Sequence, residues 1–306
     1  VAIQLAKDRD PLWKKIVKSR MLYLFILPTI ALISIFSYYP AVSAVYRSFF
    51  EWDGAFRSVF RGFGNFKEAF TDEVLQVSAL HLLIVVVFHL IRELVFPMVG
   101  ALLVFHLRHS RAAYSFRTLL VIPIVVPGIV ILLIWRFIYN PSIGLLNQLL
   151  TVVGLEDLGQ NWLGDPRFSL LSVAFIGFPW AGGFPFLIYL AGLQNITVDI
   201  FDASTVDGAT GIRRFFYVEL PLVLGQVKLL VMLTIITVIQ SYQNYLILTQ
   251  GGPGLSSMVP GLHMYYVAFR YQRFGYGSAI GVILFALIFV LTVINKKYFQ
   301  GGAESA

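Results

Sequence analysis

This sequence predicts an all-α membrane protein with about six transmembrane helices, on three observations. Of 306 residues, 58% are hydrophobic and only 13% charged, too little polar surface to clothe a soluble globule of that size. The apolar residues gather into six runs of spanning length, about 21–46, 77–107, 118–139, 169–193, 220–248 and 277–294. Basic residues crowd alternate ends of those runs: the 1–20 segment, the 108–117 turn, Arg213 with Arg214, and Lys296 with Lys297. The positive-inside bias then places both termini and the 199–221 loop in the cytoplasm. The formal charge of +7 is accounted for by these flanks, and no basic stripe with interleaved aromatics suggests nucleic acid. With no cysteine, disulfides, thiolate metal sites and cysteine nucleophiles are excluded together.

Taken in order, residues 1–20 set Lys7, Arg9, Lys14, Lys15, Lys18 and Arg20 against Asp8 and Asp10, a basic cytoplasmic segment. The first span ends in an aromatic belt of Tyr38, Tyr39 and Tyr46, and its apolar run is longer than a signal-peptide core. Positions 47–76 mix charges around Gly62, Gly64 and Asn65 and read as loop. The second span contains His81, His89, Arg92 and Glu93. The two histidines are more than two helical turns apart and cannot share a metal ion, so no metal site is expected. His89 and Glu93 are i,i+4 neighbours with Arg92 beside them, which predicts mutual pairing inside the bundle. An ion path through these three, in a self-contained proton-coupled carrier or channel, is the alternative.

Pro123 and Pro127 should bend the third span, and the net-negative 140–168 segment should be an outward loop. Pro179, Gly182, Gly183 and Pro185 break the fourth. Irregular backbone at membrane depth is tolerated only where protein buries it or where it lines a cavity. Beyond the fifth span, Gln250-Gly-Gly-Pro-Gly254 makes an external turn, and the aromatic 255–276 stretch is expected along the outer surface. Gly277 and Gly281 are spaced to let another helix approach the sixth span, and 299–306 reads as a flexible tail.

Between the fourth and fifth spans lies a polar interruption, Asp202-Ala-Ser-Thr-Val-Asp-Gly-Ala209, followed by Val218-Glu-Leu-Pro221. Asp199 is expected to N-cap a short helix from Ile200, and Gly208 to end it in the left-handed conformation. Ile200, Ala203 and Val206 then share one side, an apolar knob framed by carboxylates and suited to a partner's groove. Pro221 suits the first turn of the next span. No G-x-x-x-x-G-K-[ST] phosphate loop and no catalytic set stands out, so the chain is not expected to be an enzyme or to hydrolyse ATP. In the fifth span Gln240, Gln243 and Asn244 fall at i, i+3 and i+4, one helical face of amides with Tyr242 and Tyr245 alongside. Such a face fits sugar hydroxyls and pyranose rings, or glues helices together.

Written D-A-S-T-V-D-G-A-x8-V-x-L-P, the interruption is similar to the cytoplasmic loop signature of importer permeases of the ATP-binding cassette class. Asp202 stands where Glu is usual and Val218 where Ile is usual. The resemblance runs along nearly the whole chain: Leu24-Phe-Ile-Leu-Pro28, Tyr38-Tyr-Pro40, Phe116-Arg-Thr118, Trp135-Arg-Phe137, Asn140-Pro141, Gly144-Leu-Leu-Asn147, Asn161-Trp-Leu-Gly-Asp165, Leu190-Ala-Gly-Leu-Gln194, Thr249-Gln-Gly-Gly-Pro253 and Phe274-Gly-Tyr276. In this order they resemble the disaccharide and oligosaccharide importer permeases, the class of the maltose-transporter permease subunits. That resemblance implies a type I importer transmembrane domain over 21–298 in a bacterial or archaeal inner membrane, with a coupling helix in the 199–221 loop. It implies a second, homologous permease in a heterodimer, two ATPase subunits carrying ATP and Mg, an extracytoplasmic solute-binding protein and a carbohydrate substrate. No cofactor would sit on this chain. Asp202, Ala203, Asp207, Gly208, Ala209, Arg213 and Pro221 would meet the ATPase. Trp180, Gly183, Phe186, Gln240, Gln243, Asn244 and Tyr245 would meet the sugar.

Overall fold

The computed structural model describes residues 19–299. Residues 1–18 of the expected basic segment and 300–306 of the expected tail lie outside the described residues. Among the described residues, three helices are each long and apolar enough to cross a membrane: α1 (Arg20–Arg47), α3 (Glu73–Phe105) and α14 (Phe274–Phe299), with mean hydropathies of 2.0, 2.4 and 2.7. Three bent pairs bring the candidate spans to as many as six. The first pair joins Ser110–Val125, which includes α4 (Ser110–Val121), to α5 (Gly128–Ile138), turning 96° between Pro123 and Pro127, where bending was expected.

The stretch expected as the fourth span, 169–193, is divided as its prolines and glycines require. Helix α7 (Ser169–Ala174) stops, an irregular stretch follows, and α8 (Gly183–Gln194) resumes. Glycines bring these elements close: a Cβ at Gly100 of α3 would run into the Ala181 carbonyl, and one at Gly182 into that of Leu120. Helix α9 (Val198–Val206) then turns off α8 by 72°. The chain returns through α10 (Gly211–Leu222) and bends 67° into α11 (Leu224–Gln240). Pro221 thus lies before that bend in α10, not in the first turn of the span. The fifth span is also interrupted, since Ser241 is extended (ψ 124) and the helix restarts as α12 (Gln243–Leu248).

Two large cores hold the bundle. One gathers Leu82, Val85, Tyr139, Val173, Ile239, Tyr245, Met258 and Leu262; the other gathers Met98, Ala101, Val104, Phe186, Tyr189, Leu193, Val223 and Leu230. Helix α3, the 33-residue second span, runs through both and is about 50 Å long at 1.5 Å per residue. Its start is fixed by Asp72, whose Oδ1 accepts from the Val74 and Leu75 amides at 2.9 and 3.1 Å. The other oxygen accepts from His263 Nε2 at 2.8 Å and Tyr276 Oη at 2.6 Å. Burial alone would raise the Asp72 carboxyl, but the hydrogen bonds from Tyr276, His263 and the Leu75 amide outweigh it and hold the group below the usual carboxylate range.

Two further stretches differ from expectation. Positions 47–76 form a hairpin, β1 (Phe50–Trp52) paired antiparallel with β2 (Ser58–Phe60), then α2 (Gly64–Thr71), where a loop was expected. The 255–276 stretch is not laid along the outer surface: Met258, Val259, Leu262, Tyr266 and Val267 are buried around α13 (Pro260–Tyr265). Its polar tips find partners inside, His263 on Asp72 and Tyr266 Oη on the Gln250 carbonyl at 3.2 Å, so burial leaves them satisfied. This segment is also what Gly277 and Gly281 admit. An added Cβ there would lie 3.0 Å from Ala268 Cβ and 3.4 Å from Met264 Sδ.

Candidate functional site

At the end of α3 opposite the hairpin, α9 forms the expected knob. Thr197 is the N-cap residue, not Asp199, which sits inside the first turn where a carboxylate favours the helix dipole. The far end closes as a Schellman turn: Gly208 adopts φ +73 and the Ala209 amide donates to the Ser204 carbonyl at 2.8 Å. Asp202, Ala203, Asp207, Gly208, Arg213 and Pro221 are exposed and Ala209 is half-buried. Val198 and Val206 are 70% and 88% exposed, an apolar surface with carboxylates beside it, whereas Ser204 and Phe201 face inward. Phe105, the last residue of α3, packs on Phe201 at 5.8 Å. The Gly251 turn packs on Met258, whose carbonyl bonds His81 in the first turns of α3, so knob and turn lie at opposite ends of the molecule.

Midway along α3, His89 and Arg92 meet Val85, Val173, Thr237, Val238, Ser241, Asn244 and Tyr245 around a cavity of about 180 Å³. Ser241, where the fifth-span helix breaks, is itself part of the lining. Arg92 donates from Nε and Nη2 to Glu93 Oε1 at 2.9 and 2.7 Å. Its Nη1 donates to the Ala174 and Ile176 carbonyls at 2.9 and 3.1 Å. Those carbonyls lie at the end of α7, where the helix stops and intrahelical donors run out, so Arg92 caps the broken fourth span. His89 does not pair with Glu93; its Nδ1 bonds the Val85 carbonyl at 2.9 Å.

The expected sugar residues separate accordingly. Asn244 and Tyr245 line the cavity, while Gln240 and Gln243 are exposed and lie outside it, since the break removes the single helical face they were expected to share. Trp180 staples the fourth-span break: Nε1 donates to the Phe175 and Ile176 carbonyls, and Phe88, Phe96, Phe175 and Phe178 pack around its ring within 5.7 Å. Phe186 is fully buried in the core, and Gly183 opens α8 at φ +84. Ser241 and Thr237 complete the polar lining without any signal in the sequence to mark them.

Among known proteins, a family model described as "Binding-protein-dependent transport system inner membrane component" matches residues 98–300, and the chain belongs to this family. It is 31% identical over 283 residues, 92% of this chain and 97% of the other, to "Probable ABC transporter permease protein YurN" of Bacillus subtilis. It is 26% identical over 290 residues, 93% and 97% of the two chains, to "Multiple sugar-binding transport system permease protein MsmF" of Streptococcus mutans. The fold is shared with a chain of a bacterial alginate ABC transporter solved with an alginate pentasaccharide-bound periplasmic protein: TM-score 0.82, 20% identity, 95% of this chain and 98% of that one. The chain is therefore an all-α permease with the type I ABC importer fold, an inner-membrane component of a binding-protein-dependent transport system.

Proposed function

We propose that this chain is the transmembrane permease subunit of an ATP-driven importer of oligosaccharides or other carbohydrates. The observation that carries the reading is the knob: a short helix locked by a left-handed glycine, its apolar and acidic side chains exposed, at the end opposite the Gly251 turn. The knob docks in a cleft of an ATPase subunit, with Asp202, Asp207 and Arg213 meeting opposite charges and Ala203, Gly208 and Ala209 allowing close approach. The ATPase biases the spans only insofar as it binds the knob differently in its open and closed states, which is how alternating access is driven. Two ATPases hold the ATP and Mg; this chain holds no cofactor and hydrolyses nothing. A second permease completes the pathway, an extracytoplasmic binding protein delivers the sugar, and both termini face the cytoplasm.

Within the membrane, Asn244 and Tyr245 present donors and acceptors to sugar hydroxyls beside His89 and Arg92. Relatives named for sugars and for alginate support the substrate class. An ion-coupled carrier gains little from this geometry, because Arg92 is engaged with Glu93 and two carbonyls. Proteoliposomes holding the assembled complex separate the readings. Uptake of radiolabelled oligosaccharide should require internal ATP and the binding protein. Uptake driven by a proton gradient without an ATPase would overturn the proposal.

A further inference from the structure

One buried carboxylate belongs neither to the knob's exposed surface nor to the cavity. Glu219, in α10, is 2% exposed, and its Oε1 lies 3.0 Å from His106 Nε2 and 3.4 Å from Arg214 Nε. His106 follows the last residue of α3, so the carboxylate joins the second span to the segment that returns from the knob. Arg214 also faces the knob itself, its Cζ 5.4 Å from the Phe201 ring, which in turn packs on Phe105. Five side chains therefore bind three elements at one end of the bundle: the knob, the end of the second span, and the approach to the fifth. A buried carboxylate is costly unless it keeps its polar partners, so α10 cannot leave the end of the second span without breaking the Glu219–His106 contact, and the knob cannot leave either without stripping the Phe201 ring of Arg214 or Phe105. Both Glu219 Oε1 and Arg214 Nε are nonetheless buried with no aligned hydrogen bond. Their pairing here rests on proximity and charge rather than on an aligned hydrogen bond.

We infer that Glu219 is a positioning residue that clamps the second span to the knob, making α3 the rod that carries the knob's displacement to the cavity. The reach is suitable: from Phe105 to Arg92 is about 20 Å at 1.5 Å per residue. The inference rests on the reading of α9 as the ATPase dock, and it differs from motion passed only through the chain neighbours of the knob, the fourth and fifth spans.

The cysteine-free chain permits a direct test by pulsed electron resonance in the complete complex. Spin labels are placed at Val206→Cys on the knob and at Leu103→Cys on α3, both exposed side chains. With or without ATP and vanadate, the label pair should keep one narrow distance, constant to about 2 Å, the scale of packed-helix shifts. Glu219→Gln and Arg214→Gln should broaden that distribution or shift it on adding nucleotide, and Glu219→Asp should restore it in part. Uptake per ATP hydrolysed should fall about tenfold in Glu219→Gln, and adding Arg214→Gln should cause no further loss. A wild-type pair that separates by several ångströms with ATP, or a Glu219→Gln distribution as narrow as the wild type, overturns the inference. The wild-type measurement decides the matter even if Glu219→Gln does not assemble. A Val206 label indifferent to the ATPase would instead refute the docking reading beneath it.

Discussion

Gly208→Asp and Ala203→Asp are expected to abolish uptake while leaving the permease folded and inserted. At Gly208 the structure offers open space, with nothing within 4 Å of an added Cβ, so the only internal cost is the backbone's φ of +73. For an L residue that conformation costs about 1–2 kcal/mol, and Asp is among the side chains that bear it best. Ala203 is exposed on α9, and replacing it with Asp costs about 0.7 kcal/mol of helix propensity. At about 2–4 °C per kcal/mol, neither variant should lower the melting temperature by more than about 8 °C. The internal cost is thus small; the large effect must come from a carboxylate forced into a surface that only a partner fills. The assay is ATP-dependent sugar uptake in proteoliposomes, together with co-purification of the ATPase and a melting curve of the permease. Uptake at the wild-type level would refute the reasoning, as would a fall in melting temperature above about 10 °C, which would make these positions internal packing sites.

Three further outcomes follow from the site and the fold. Arg92→Met should lower the melting temperature by about 6–12 °C, because the pair it breaks is only 18% and 22% exposed and such a loss costs about 3 kcal/mol; Arg92→Met with Glu93→Gln should melt higher than Arg92→Met alone. Asn244→Ala should weaken the concentration dependence of uptake about 3–10-fold, the worth of one hydrogen bond, whereas Gln243→Ala should leave it unchanged because that side chain lies outside the cavity lining. The Asp72 carboxyl, depressed in the folded state, contributes stability that is complete above the ordinary Asp value of about 4 and is lost as pH falls through its lower folded value. Melting curves taken downward from about pH 6 should therefore fall less steeply in Asp72→Asn than in the wild type.

Local chemistry made much of this legible in advance. The apolar runs expected at about 21–46, 77–107 and 277–294 fall within a few residues of the long apolar helices α1, α3 and α14, and prolines with glycines marked the breaks along 118–139 and 169–193. Gly208 announced the end of the knob because its role depends on one backbone angle. Other features were hidden because long-range packing decides them. Nothing near Ser241 resembles a helix breaker, yet the fifth span opens there and divides Gln240 from Asn244. Arg92 caps carbonyls 82 and 84 positions away, a partnership no local spacing reveals. The same holds for Glu219, which is indistinguishable from a solvated acid until the fold sets His106 and Arg214 beside it. The aromatic 255–276 stretch looked interfacial by composition, but Asp72 and the Gln250 carbonyl satisfy its polar tips inside the bundle.

The central claim, that an ATPase works this bundle through the 198–206 helix, is tested most directly at Val206. Because the chain contains no cysteine, Val206→Cys supplies a unique thiol at a position that is 88% exposed. A short bifunctional thiol reagent applied to the assembled complex, with cysteines introduced around the ATPase cleft, should join permease to ATPase in a yield that changes with ATP. Cross-linking to the binding protein instead, or labelling of the introduced thiol in intact cells by a reagent that cannot cross the membrane, would contradict the account.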